Sequence, residues 1–264
     1  MIKQIVRKIK YTIYPRYCPF CIGNWREFNS HGFEFPVLKK VEIIGGGKRP
    51  HVCPNCSSTD RLRMIYSYLK SETKFLDSDY PLKILHIAPE RLLMELFKKN
   101  NYHHYTAIDK FNFGGDIRFG DITDLEFDDN YFDLVICNHV LEHIDNSHRL
   151  RDDIFKKAKK KIIIALPNMA YYKFRFNFLF TGELSGKYPF GKSKPADRHK
   201  WITNIKNINQ FISTVDEKEW GIKEYDFIAE RKRNLILFYL EKFLSKFFPS
   251  LFVYEKIFYF EKKS

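Results

Sequence analysis

Residues 81–146 read PLKILHIAPERLLMELFKKNNYHHYTAIDKFNFGGDIRFGDITDLEFDDNYFDLVICNHVLEHIDN. Short apolar runs at Ile84–Ile87, Tyr105–Ile108, a weaker one at Ile117–Phe119, and Phe132–Cys137 alternate with polar or helix-compatible segments. That βαβ rhythm argues for a parallel sheet with helices on both faces. Ligands of such sheets bind beyond the carboxyl ends of the strands, near the point where strand order reverses. Glu90, Asp109, Asp121 and the pair Asn138–His139 stand at those ends. Asp109 directly follows the second strand, where a carboxylate can accept from both hydroxyls of a ribose.

Downstream, a helix over Arg149–Lys160 leads into the apolar strand Ile162–Leu166, and the lysine run at 156–161 reads as a solvated helix end. Pro167-Asn168 ends this strand at the same ligand-binding edge. The aromatic stretch MAYYKFRFNFLF (169–180), carrying Arg175 and Asn177, reads as core packing or as a lid. Residues 181–197 hold enough glycine, proline and polar residues for a mobile loop, with His199 just beyond. His199 is a candidate acceptor-binding residue or base, with a structural histidine as the rival reading. The chain then offers a helix at Ile205–Thr214, a strand at Ile222–Ala229, a basic helix at Arg231–Phe247 and a closing strand SLFVYEKIFYFE.

Upstream, Cys18-Pro-Phe-Cys21 and Cys53-Pro-Asn-Cys56 form two C-x2-C pairs. Each pair can present two thiolates to one tetrahedral ion, and two pairs complete a four-thiolate zinc shell. The stretch between them reads as short strands and a glycine-rich turn, as in a zinc ribbon. Disulfides fit poorly without a secretory signal, and a redox-active pair would precede a helix in a βαβ unit. The fifth cysteine, Cys137, reads as a small core residue. After the second pair, Ser57, Ser58 or Thr59 can cap a helix with Leu62, Ile65, Tyr66 and Leu69 on its apolar face. Arg61 and Arg63 are either solvated or flank the site and meet an anionic group.

The chain has 264 residues, enough for one α/β domain with a small appendage. Its 45 Lys and Arg outnumber 32 Asp and Glu, and the net charge of +13 admits an acidic partner: nucleic acid, anionic lipid or phosphorylated sugar. No apolar run reaches the roughly 18 residues a bilayer span needs. Residues 1–13 alternate Ile and Val with Lys and Arg, which reads as a surface helix in preference to a basic membrane anchor. Without a small-residue cleavage site they are no signal peptide, so the expected location is cytoplasmic.

VICNHVLEHI (135–144), with LPNMAYYKFRFNFLFTGEL (166–184) and DRHKWIT (197–203), resembles the class I S-adenosylmethionine-dependent methyltransferases. Within that class the chain is similar to the methionine-biosynthesis type and to glycan-modifying enzymes. The resemblance runs from Lys83 onward and implies a Rossmann-like α/β sheet with an antiparallel last strand inside it. It also implies S-adenosylmethionine as cofactor, held by His86, Ala88, Glu90, Asp109, Asp121, Ile122 and Asn138. His139, His143 and His199 are the candidate catalytic residues. Glu90 could instead cap a helix, Asp121 could shape a turn, and His143 could be structural. The family's glycine-rich loop after its first strand is here His86-Ile87-Ala88-Pro89-Glu90. A C-P-x-C-x-S-x-x-R-x-R segment at 53–63 is similar to that of zinc-bearing methyltransferases. The expected organisation is a zinc-ribbon-like subdomain over residues 1–72 and a methyltransferase domain over 73–264, with a substrate-side insert at about 168–200.

Such an enzyme would methylate a small or carbohydrate-linked acceptor. The alternatives are an RNA methyltransferase gripping phosphates through its basic surface and zinc ribbon, or a noncatalytic cofactor-fold binding module.

Overall fold

The computed structural model describes residues 16–31, 49–71, 75–76, 82–99, 104–110, 115–182, 199–228 and 235–263. The basic segment 1–13, most of the stretch between the cysteine pairs and most of the insert loop lie outside the described residues.

Two small antiparallel ladders come first: β1 (Arg16–Cys18) with β2 (Gly23–Trp25), and β3 (Asn29–His31) with β4 (Arg49–Val52). Helix α1 (Asp60–Ser71) follows, and Thr59 Oγ1 accepts from the Leu62 amide to cap it. The main unit then runs β5 (Lys83–Ile87), α2 (Arg91–Lys99), β6 (His104–Asp109), β7 (Ile117–Phe119), β8 (Phe132–Asn138), a 3-10 turn (Leu141–His143), α3 (Ser147–Lys157) and β9 (Ala158–Pro167). It finishes with α4 (Tyr172–Thr181), α5 (Ile205–Ile212), β10 (Trp220–Phe227), α6 (Leu235–Leu244), the short α7 (Pro249–Phe252) and β11 (Glu255–Lys262).

The larger sheet has seven strands in the order β10-β11-β9-β8-β5-β6-β7. β5 through β9 are mutually parallel, whereas β11 is inserted antiparallel between β9 and β10. This is the mixed sheet of class I methyltransferases, and the expected pairing of the last strand inside the sheet holds. Strand order reverses between β5 and β8, so their carboxyl ends frame the crevice.

Period-two alternation sends side chains to opposite layers. Leu85, Val135, Ile162, Ile164 and Phe258 join α3 and α5 residues on one face. Ile84, Leu134, Ile136, Ile163 and Ile257 meet Leu62, Ile65 and Leu69 of α1 and Leu93 and Phe97 of α2 on the other. Each such burial contributes about 1.5–3 kcal/mol. α1, which follows the cysteine unit directly, thus packs on this face of the sheet, as does Phe20 from between the first two cysteines.

Some boundaries differ from expectation. The lysine run is split: Lys156 and Lys157 end α3, and Ala158 to Lys161 already belong to β9. Lys159 and Lys160 are exposed at the start of this strand, and Lys160 and Lys161 pair with Asp133 and Glu261 of its neighbours. The closing strand begins at Glu255, not at Ser250, because Pro249 at the first helical position nucleates α7. Among the described residues, no helix is long and apolar enough to cross a membrane.

Candidate active site

At the top of β5 the chain turns through Ala88 with φ of +49°. Its amide donates to the Ile108 carbonyl at 2.9 Å, which extends the β5–β6 ladder into the loop. Left-handed backbone normally selects glycine; an alanine there stores of order 1 kcal/mol or more. At the top of β8, His139 also has a positive φ, +52°, and its amide donates to Ala165 O at 3.0 Å. Two non-glycine residues in strained geometry thus crown the two strands that border the switch point.

Between them lies a polar network. Buried His86 has Nε2 at 2.8 Å from Glu90 Oε2 and Nδ1 at 2.8 Å from Tyr105 Oη. Asn138 Nδ2 points at Glu90 Oε1 across 3.5 Å. Burial raises the Glu90 carboxyl pKa, but the His86 imidazole and the Arg61 charge outweigh it and hold the pKa below the usual range. Asp109 is buried at the end of β6, and its carbonyl accepts from the Gly120 amide at 3.1 Å. Asp121 is exposed; its Oδ1 accepts from Thr123 N at 2.8 Å and Thr123 Oγ1 at 2.7 Å, which lowers its pKa. Ile122 beside it is buried. The expected cofactor residues therefore line the ends of β5, β6 and β8 and the loop after β7.

A second network continues from Asn138 toward the closing strand. His139 Nδ1 lies 3.3 Å from Glu142 Oε1, and His139 Nε2 lies 2.8 Å from Glu255 Oε1. All three side chains are buried. Desolvation and Arg61 work against the His139 cation, yet the two carboxylates raise its pKa. Glu142 pays the same burial cost and is lowered by the surrounding imidazoles. The His199 ring packs edge-on against His143, with centroids 4.6 Å apart. The next two residues lock that approach: Lys200 N and Trp201 N both donate to Glu142 O, at 2.8 and 3.1 Å, and Trp201 Nε1 donates to Ile144 O at 2.7 Å. A cleft of about 440 Å³ opens beside Glu142, lined by Leu166, Trp201, Ile202 and Phe211 among others.

Sequence reasoning missed Glu255 and Tyr105, which reach the site only through strand pairing. Arg63 is not at the site mouth. Its guanidinium is buried, donates to Ser58 O at 2.6 Å and His51 O at 3.1 Å, and lies 3.9 Å from the Phe28 ring centroid. It holds the cysteine unit together. Arg61, two positions earlier on α1, is near enough to the crevice for its charge to act on both Glu90 and His139. Cys137 is buried in the core, where desolvation pushes its thiol pKa up, as a packing residue requires.

The four other cysteines converge. Cys18 Sγ lies 3.6 Å from Cys56 Sγ, and Cys21 Sγ 3.6 Å from Cys53 Sγ; all four sulfurs fall within 4.8 Å of one another. Thiolates at 2.3 Å from a tetrahedral zinc stand about 3.8 Å apart, so the donor set fits that ion. Ile22 and Ser57, each the residue after a second cysteine, have φ of +54° and +59°, so the two knuckles share one backbone turn. Ser58 Oγ lies 3.1 Å from Cys56 Sγ and 3.3 Å from Cys18 Sγ. Burial pushes Cys53 up to about 12, whereas at Cys21 hydrogen bonds from Asn55 and the neighbouring thiols overcome burial and bring it to about 7.

The family profile described as "Methionine biosynthesis protein MetW" matches residues 104–258, from β6 into β11. Among solved structures, the small RNA methyltransferase HEN1 aligns at 14% identity over 77% of this chain and 25% of that one, with a TM-score of 0.50. A SAM-dependent methyltransferase from Archaeoglobus fulgidus is 19% identical over 77% of this chain and 91% of its own, with a TM-score of 0.46. An S-adenosylmethionine-dependent methyltransferase from Mesorhizobium loti is 10% identical over 74% of this chain and 96% of its own, with a TM-score of 0.44. No curated protein matches the chain.

Proposed function

The chain belongs to the MetW family of S-adenosylmethionine-dependent methyltransferases, and from that premise we propose that it methylates a hydroxyl of a small or carbohydrate-linked acceptor. When bound, the cofactor supplies an electrophilic methyl group for in-line transfer, a reaction in which positioning carries much of the acceleration. Asp109 holds the ribose hydroxyls. Glu90 and Asn138 serve the amino-acid end, with His86 and Tyr105 fixing the Glu90 carboxylate from below and Ala88 shaping the turn. Ile122 offers an apolar wall to the adenine, and Asp121 receives its amino group.

The observation that carries the acceptor half of this reading is the return of His199 onto His143 and Glu142 at the end of β8. A hydroxyl is a weak nucleophile until its proton is lost or the developing charge is offset, and this cluster stands where the acceptor would meet the methyl group. Both ring nitrogens of His139 face carboxylates, so its role is to hold Glu142 in place rather than to accept a proton. Arg61 reaches the crevice from the cysteine side and suits an anionic group on the acceptor. The aromatic helix α4, starting just beyond Pro167, suits a wall or lid over it. Zinc at Cys18, Cys21, Cys53 and Cys56 is structural in this reading, fixing the base of α1 and hence Arg61.

Incubation with methyl-labelled cofactor, candidate glycans, small hydroxylated compounds and RNAs, followed by mass spectrometry, tests the proposal. Label on a glycan or small-molecule oxygen is expected. Label on RNA alone would replace this acceptor with the alternative one.

A further inference from the structure

We propose that Glu142, His143 and His199 form a binding site for a divalent first-row cation, separate from the four cysteines. The inference deepens the acceptor reading above and rests on it only for the cation's use, not for its binding. One ligand atom from each of the three side chains lies within 4.8 Å of the others, and Glu142 Oε1 is 4.0 Å from His143 Nε2. Donors around a cation at about 2.0–2.1 Å stand about 3.4 Å apart in a tetrahedron, so small side-chain rotations close the site. Two imidazoles and one carboxylate are a set that suits zinc, iron, cobalt or nickel and leaves coordination positions open for a further ligand.

A second observation points to a cation independently of this proximity. The Glu142 side chain is fully buried, and neither carboxylate oxygen accepts a well-aligned hydrogen bond. Glu255, also buried, shares His139 with it, so two carboxylates face one imidazole between them. Even with that imidazole charged, the trio carries one excess negative charge, which on the Glu142 side, among the described residues, only the imidazoles of His143 and His199 face, and a buried charge without a full counter-charge is costly. The Arg61 charge acts on both Glu90 and His139, favouring the Glu90 anion and opposing the His139 cation. A cation on the open side of Glu142 balances the charge where His143 and His199 already converge. The chain Glu255–His139–Glu142 then acts as the support that orients a metal-binding carboxylate. The chemistry for an acceptor follows directly: a hydroxyl bound at an open position would give up its proton to solvent more readily, and its oxygen would form the new C–O bond as the methyl–sulfur bond of the sulfonium breaks and the thioether leaves.

The test is titration of Co²⁺ into the zinc-loaded full-length chain, followed by optical absorption. Cobalt held by nitrogen and oxygen gives weak visible bands without the intense sulfur-to-cobalt transition that cobalt at the cysteines would show. One saturable equivalent of the weak-band species is expected, with binding at least about tenfold weaker in His199→Ala and in His143→Ala. No saturable binding, appearance of the sulfur transition alone, or unchanged affinity in both variants would overturn the site. Should a variant fail to fold, anomalous scattering from Co²⁺-soaked crystals of the unaltered chain decides: an ion among Glu142, His143 and His199 supports it, and an ion elsewhere only overturns it. Hydroxyl methylation unaffected by withholding the cation would refute its use while leaving the acceptor reading intact. Cobalt bound at the cluster with no hydroxyl methylated would uphold the site and refute the acceptor.

Discussion

His86 and Glu90, one helical turn apart in sequence at the top of β5, meet through Nε2 and Oε2 at 2.8 Å. Tyr105 from the adjacent strand closes the other side of the imidazole. A side-chain network thus stiffens the turn after β5, and it aims a carboxylate at the crevice.

The Glu90 pKa is held below its ordinary value of 4.5 by His86 and Arg61 against burial. A depressed carboxylate contributes stability that is fully present above the unfolded pKa and is lost as pH falls through the folded one. Thermal unfolding of wild type and Glu90→Gln, compared from neutral to acidic pH, should show a constant gap at neutral pH that narrows below the usual glutamate range. A gap independent of pH would show that the pairing contributes nothing through charge.

Asp109→Ala should weaken S-adenosylmethionine binding by roughly tenfold or more, since charge-assisted hydrogen bonds are worth about 1.5–3 kcal/mol each. Calorimetry with the cofactor measures this directly. Asp121→Ala should cost less, because its carboxylate is exposed and already engaged by Thr123. Equal losses at the two positions would reverse that ranking.

Ala88→Gly relieves a left-handed backbone, and the gain of about 1 kcal/mol from strain is partly offset by the entropy of a freer unfolded chain. Denaturant unfolding should therefore show equal or slightly higher stability, with cofactor affinity kept. A loss of more than about 1 kcal/mol would mean the alanine methyl packs more usefully than its backbone strain implies.

Much of this architecture was legible in the chain because burial imposes a period. The runs at Ile84, Tyr105 and Phe132 mark the parallel strands, and Asp109 falls at the carboxyl end of one of them. The paired C-x2-C spacing likewise brings its four sulfurs together. What could not be read are contacts made by strands distant in sequence. Glu255 reaches His139 only because β11 inserts beside β9, and nothing local to Glu255 marks it as a site residue. Arg61 and Arg63 look alike in sequence, but their positions on α1 send one toward the crevice and the other into the cysteine unit.

Metal loading of the cysteine centre must displace thiol protons, above all from Cys53, whose pKa burial raises to about 12. Zinc uptake by chelator-stripped protein should release protons, and its affinity should rise with pH across the neutral range. Metal analysis is expected to find this zinc in freshly purified reduced protein and to lose it in Cys53→Ser. Retention of full zinc content by that variant would exclude the four-cysteine shell.

The central claim is that cofactor and acceptor are handled by separate groups, the acceptor at Glu142, His143 and His199. Its most direct test measures turnover and cofactor affinity together in His199→Ala. The account predicts turnover reduced by about a hundredfold, in the range expected for loss of an acceptor-activating group, with the cofactor dissociation constant nearly unchanged. Wild-type turnover, or cofactor affinity lost in step with activity, would contradict it.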